Sequence, residues 1–169
     1  MAGAALTTPI VVTNIQDIFV QNALVKNAEV VNFGDLGAID TGGFIVVASK
    51  TQGATVKAQG VIVFSDENGT AVTRTGDGTT VRASLAKKAR ISNINSTKVP
   101  GLDEGLPVYL GPVTTTTVTN YTCTQTTTVS DLVQCVGFAN SDQTALDIHV
   151  APESTVIAYS TAGALKIAT

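Results

Sequence analysis

The sequence predicts an all-β fold, a compact β-sandwich or β-barrel-like domain with an extended N-terminal arm and a C-terminal tail. Three observations predict it. Thr fills 26 of 169 positions, Val and Ile recur in short apolar runs, and only 14% of residues are charged, so β-branched strand formers outweigh the Lys, Glu and Gln that favour helices. Gly and Asn/Asp turn signals then punctuate the apolar runs at short intervals, as in sandwiches and barrels. Finally, 169 residues is one domain's worth of chain, long enough to bury a core without disulfide staples.

The elements follow in order. Met1 to about Thr13 is small, polar and aperiodic around Pro9, which reads as an arm, mobile when free and ordered on a partner. Ile15, Ile18 and Phe19 carry the spacing of one helical turn, although β-branched content opposes it. Val25 to Phe33 reads as a strand and Gly34-Asp35-Leu36-Gly37 as a turn. Phe44-Ile45-Val46-Val47-Ala48 is the strongest strand, its unbroken apolar run implying burial on both faces. Thr55 to Phe64 leads to Asn68-Gly69, a hairpin signal, with Ala71 to Arg74 returning. Thr79 to Ile94 fits either period, and context favours strands. Val108-Tyr109-Leu110 is a strand between Gly/Pro turns. Ten of the seventeen residues from Val113 to Val129 are Thr, giving strand or extended loop but not helix. Leu132 to Phe138 and Ala145 to Val150 are strands around the turn Asn140-Ser141-Asp142-Gln143. The tail from Glu153 to Thr169 either pairs at an edge or extends as an arm. The division expected is 1–24 for the arm and first short elements, 25–150 for the β domain, and 151–169 for the tail.

Charge excludes some functions. The net charge of -3 lacks the excess of Lys and Arg that binding to nucleic-acid phosphates requires. No run approaches the ~18 apolar residues of a spanning helix, so no membrane partner is expected, and the first residues do not read as a secretory signal. The charges are unevenly spread: Arg74, Arg82, Lys87, Lys88, Arg90 and Lys98 face one acid, Asp77, over 25 positions, whereas Val99 to Leu165 holds six acids and no base. Either the halves pack against each other, or the surface has two electrically distinct faces.

Catalytic and metal chemistry is thinly supplied. Cys123 and Cys135 lie twelve apart with one His in the whole chain, so no zinc site is expected; the two read as buried free thiols on neighbouring strands or, if those strands pair in register and the compartment is oxidising, a disulfide. Alternation places His149 with Asp147 on an exposed strand face. No nucleophile elbow, Walker or dinucleotide motif is present, and the adjacent acids Asp66-Glu67 and Asp103-Glu104 point opposite ways on extended backbone. No enzyme activity and no cofactor are expected.

From Val25 to Val150 the segment order resembles the bacteriophage capsid decoration, or cement, proteins. The residues carrying it are Thr41-Gly42-Gly43 leading into Phe44 to Ala48, Gly105-Leu106-Pro107-Val108-Tyr109-Leu110-Gly111 followed by Thr114 to Thr117, and Leu132 to Phe138 with Leu146 to Val150. The insert from Thr119 to Thr128 and both terminal extensions depart from that pattern. The resemblance implies a small β domain on the outer surface of an assembled phage head, made in the host cytoplasm. It would bind the major capsid protein and itself, as a homotrimer or alternatively a dimer. Pro9, Ile10, Arg82, Lys87, Lys88 and Arg90 are the candidate coat or subunit contacts. A bacterial surface or secreted β-module for protein or glycan adhesion is the alternative, disfavoured by the absence of Trp.

Overall fold

The computed structural model describes residues 10–50, 56–65, 72–111, 120–124 and 132–151, and the strand backbones at 157–161 and 164–167. The protein is all-β, with no helix among the described residues and a sheet curled into a half-barrel. Its strands are β1 (Val11–Leu24), β2 (Val30–Asn32), β3 (Leu36–Ile39), β4 (Ile45–Val47), β5 (Gly60–Val63), β6 (Thr73–Thr75), β7 (Arg82–Ser92), β8 (Pro107–Leu110), β9 (Tyr121–Thr122), β10 (Leu132–Ala139), β11 (Ala145–His149), β12 (Ile157–Thr161) and β13 (Ala164–Ile167).

The spine is β7. One edge pairs with β1 along its whole length, so the other edge is shared end to end, by β5 at Ser84 to Ala86 and by β11 at Lys88 to Ser92. The sheet continues β5-β3-β4 on one side and β11-β10-β12-β13 on the other, while β8 covers the second edge of β10 and carries β9. The ambiguous stretch from Thr79 to Ile94 is therefore a strand, and its alternation packs Ala83, Leu85, Ala89 and Ile91 inward. Ile45, Val46 and Val47 of β4 are all buried, as their unbroken apolar run requires. The core joins both halves of the chain, with Phe33, Leu36, Ile62, Leu85, Ile91, Tyr121, Leu132 and Leu146 inaccessible and Phe33 stacked on Phe64 at 5.7 Å.

Three expectations change, besides the turn from Gly34 to Gly37, which gives way to β3 at Leu36. The first is the arm: Ile10 is fully buried, and Val11, Val12 and Thr13 pair with Ser92, Ile91 and Arg90, so the sheet begins at Val11 and the segment to Leu24 belongs to it. Residues 1–9, including Pro9, lie outside the described residues. The second is the helical spacing of Ile15, Ile18 and Phe19. The 14-residue β1 is matched to 11 residues of β7, and register shifts at Thr13/Gln16, Ile18/Val20 and Val20/Ala23 take up the three extra residues. Asn14 and Asn22 within two of these bulges have φ of 50°, which Asn tolerates. A strand with a bulge every few residues returns side chains to one face at intervals of three to five, close enough to a helical period to imitate one. Bulging also makes this edge a poor template for another strand.

The third concerns β6, which returns not to β5 but to β2, with Val30 opposite Thr75 and Asn32 opposite Thr73. The expected strand from Val25 to Phe33 is broken by a turn in which Ala28 has φ 62°, leaving only Val30–Asn32 extended. The Asn68-Gly69 hairpin and the Thr-rich run up to Thr119 lie outside the described residues. The tail pairs rather than extends: β12 adds to β10 and β13 to β12.

Where strands run out, buried side chains replace backbone partners. Gln134 is inaccessible; its amide oxygen accepts from the Ala58 N–H and its nitrogen donates to the Ala58 carbonyl, both at 2.8 Å. Asn120 accepts from the Leu36 N–H at 2.8 Å and donates to the carbonyls of Leu36 at 2.7 Å and Ala48 at 2.9 Å. Glu29 accepts from the Val47 N–H at 2.9 Å. Each thus bonds buried backbone groups beyond the strand ladders, and the Leu36 carbonyl also accepts from the Ala48 N–H at 2.9 Å.

Candidate interaction face

The outward side chains of β7 form the centre of a face that carries two of the predicted contacts, Lys88 and Arg90. Cross-strand register sets Thr13, Arg90, Asp147, Phe138 and Pro107 in one row across β1, β7, β11, β10 and β8. Gln16, Lys88 and His149 form the next row. Arg90 approaches Asp147 at 3.6 Å and Lys88 approaches Asp17 at 3.1 Å, and both carboxylates are more than half exposed. Ion pairs this exposed contribute about 0–1 kcal/mol, so they position charge more than they hold the fold. Between the rows lies a shallow depression of about 200 Å³ lined by Asn14, Gln16, Lys88, Arg90, Asp147 and His149.

The predicted contacts do not form one patch. Ile10 is a core residue with no exposed surface: it lies beneath the chain entry to β1, where its side chain reaches 3.0 Å from a Cβ built on Gly34, and it cannot touch a partner while the sheet is intact. Arg82 sits at the far end of β7, in a separate cleft of about 580 Å³ with Arg74, Asn22, Ser65 and Thr80, and donates to the Asn22 carbonyl at 2.7 Å. Lys87 lies where β5 gives way to β11, its ammonium 5.6 Å from the Phe19 ring, a cation-π contact worth about 0.5–1 kcal/mol at an exposed site. Of the basic stretch, Arg90 meets the acidic half through Asp147, whereas Lys88 meets Asp17 of β1.

The exposed apolar residues were not singled out by the sequence. Phe138 is 57% exposed, Ile18 44%, Phe19 42% and Leu106 37%. Phe138 and Leu106 are neighbours, since the Ala139 N–H donates to the Leu106 carbonyl at 2.9 Å and Phe138 lies opposite Pro107. A signal for Phe138 did exist: the turn at Asn140 to Gln143 fixes residue 138 opposite 147, and Asp147 was already assigned outward. Phe19 stands out for a different reason, being the extra residue of the second β1 bulge.

Cys123 and Cys135 are free and half-buried. Cys135 lies opposite Tyr109 of β8, and Tyr109 opposite Thr122, the residue before Cys123. A whole strand thus separates the thiols, roughly 10 Å at two inter-strand spacings, beyond the ~7 Å a disulfide spans. Burial also pushes the Cys123 thiol pKa up, away from reactive thiolate. Protein purified without reductant and then unfolded is expected to release two thiols to a thiol reagent; one or none would contradict this geometry. Among the described residues no group of three or more His, Cys, Asp or Glu side chains is placed to hold a metal ion. No family model, curated protein or solved structure matches the chain.

Proposed function

We propose that this chain is a structural decoration protein that binds the outer surface of an assembled phage head and bridges coat subunits, alone or through copies of itself. The observation that carries the reading is the face just described: a continuous surface over β1, β7, β11, β10 and β8 with Phe138 at 57% exposure beside ordered charges of both signs. Two of the segments that carry the resemblance border this face, since Gly105 to Gly111 spans β8 and Leu132 to Val150 spans the β10-β11 hairpin, whereas Thr41 to Ala48 lies at β4, across the sheet. A clamp requires such a face on a scaffold that does not yield. Binding only the assembled lattice stabilises that lattice by mass action.

The test is co-sedimentation of the purified chain with assembled heads and with unassembled coat subunits. Binding to heads alone is expected. Phe138→Asp removes an exposed ring, so it should change the melting temperature little while weakening head binding at least about tenfold, the scale of one interface anchor. Lys88→Glu should weaken binding less and make it more sensitive to salt. Retention on bacterial surfaces or glycans without any binding to heads would favour the adhesion reading instead.

A further inference from the structure

The Asp35 carboxyl is the most anomalous polar group among the described residues. It is 2% exposed, and its Oδ1 is buried without a hydrogen-bond partner, whereas Oδ2 accepts from the Asn32 side-chain amide at 2.8 Å and the Asn32 N–H at 3.3 Å. Buried polar atoms are rarely left unpaired, and an ionised one is much costlier than a neutral one.

Its position is a junction. The Asp35 carbonyl accepts from Ile62 N–H at 2.7 Å and Gly34 N–H donates to the Ile62 carbonyl at 2.8 Å, tying the turn to β5. The Tyr121 hydroxyl donates to the Gly34 carbonyl at 2.6 Å, and Asn120 grips Leu36, tying it to β9. The Thr73 hydroxyl of β6 donates to Asn32 Oδ1 at 2.7 Å.

We propose that Asp35 is a pH-operated latch: as the neutral acid it closes the junction of the 32–36 turn with β5, β6 and β9, and on giving its proton to solvent it loosens that junction. Protonated on Oδ1, the carboxyl leaves no anion in the core. Ionised, it carries a charge that two Asn32 bonds only half satisfy, and the low-energy response is to open the turn to water.

No nearby charge offsets this. Burial raises the Asp35 pKa from 3.8 to about 7, opposed only by the two Asn32 bonds. The titratable groups on the surrounding elements are Tyr121 of β9, whose own pKa is raised by burial and then by Asp35, Arg74 of β6, whose guanidinium lies 4.2 Å from the Phe64 ring, and Glu29 before β2, bonded to Val47. The facing residues of β1, β5 and β7 at this turn, Val12, Ile62 and Ile91, are apolar. A raised carboxyl pKa means that the closed form binds the proton more tightly than the open form. The stabilisation is full below the solvated pKa near 4 and is lost as pH rises toward 7.

The test uses the whole chain. The Asp35 side-chain carboxyl carbon, followed by NMR, is expected to titrate near neutrality, and a midpoint at or below about 4, the value of a solvated Asp, overturns the proposal. Hydrogen-exchange protection factors of the Leu36 and Ile62 amides should fall, up to tenfold per pH unit, between about pH 4.5 and 6.5, whereas Asp35→Asn should remove that dependence. The same pH course in both proteins also overturns it. If Asp35→Asn does not fold, the carboxyl titration of the unaltered protein still decides. Neither readout involves a phage head, so this result and the head-binding result stand or fall separately.

Discussion

Replacing Asn120 with Ala is expected to lower the unfolding free energy by about 2–6 kcal/mol, the sum for two buried backbone groups left without this partner at about 1–3 kcal/mol each. The groups are the Leu36 N–H and the Ala48 carbonyl, whereas the Leu36 carbonyl loses Asn120 but keeps the Ala48 N–H at 2.9 Å; Asn120 itself is 3% exposed, so water does not replace the amide without opening the structure. The Leu36 carbonyl and N–H belong to the start of β3, and Ala48 follows β4, so one side chain from the 120–124 segment closes two strands from the first third of the chain. Against the 5–15 kcal/mol of an ordinary domain, this loss is enough to shift urea unfolding to markedly lower denaturant. Asn120→Asp separates the contributions: the carboxylate still accepts from Leu36 N–H but faces two carbonyls with no donor. It should therefore be at least as destabilising at neutral pH and recover in part when acid protonates it. A midpoint for Asn120→Ala within experimental error of the parent would contradict the assignment.

Strand content was legible because it depends on local pattern. The Phe44 to Ala48 run, the β10-β11 hairpin and the outward placement of Asp147 and His149 each follow from side-chain period and turn residues within a few positions. What was hidden depends on contacts distant in sequence. Asn120 and Gln134 carry no local signal of their role, yet they stand in for strands against Leu36 and Ala58, 84 and 76 positions away. Asp35 belongs by its local sequence to a turn, where Asp is usually exposed, and nothing local announces that Tyr121 and Ile62 close over it. β1 misled for the opposite reason: its pattern was clear, but bulging shifted the period. Ile10 was placed with the arm because the neighbouring Pro9 and small residues dominate its window, whereas its fully buried side chain makes it the first anchor of the sheet. Of the candidate contacts, the charged ones could be placed on a face only once the β7 pairings were known, since adjacent residues such as Lys87 and Lys88 project differently from a strand.

Gly137→Ala tests whether the candidate face depends on close strand approach beneath it. A Cβ at Gly137 would clash with the Asp147 carbonyl oxygen and stand 2.9 Å from the Ile148 Cα. Both are backbone atoms of β11, which no side-chain rotation can move away. The obstacle is space rather than dihedral angle, and it sits where Gly137 lies between Val108 of β8 and Ile148. Overpacking costs about 1–3 kcal/mol when side chains can adjust and more when backbone must move, so about 3 kcal/mol or more is expected, with β10 forced away from β11. That separation would break the register of Phe138 with Asp147 and, through Asp147, the approach to Arg90. Gly137→Ala should therefore reduce head binding even under conditions where the protein remains folded, whereas Phe138→Asp reduces binding with little loss of stability. If Gly137→Ala keeps both the parent melting temperature and the parent affinity, β10 and β11 leave room for a Cβ at Gly137 and the row from Pro107 to Thr13 is not a rigid unit. Loss of stability with retained affinity in the folded fraction would place the head contact away from the β10-β11 hairpin, on the β1 side with Ile18 and Phe19.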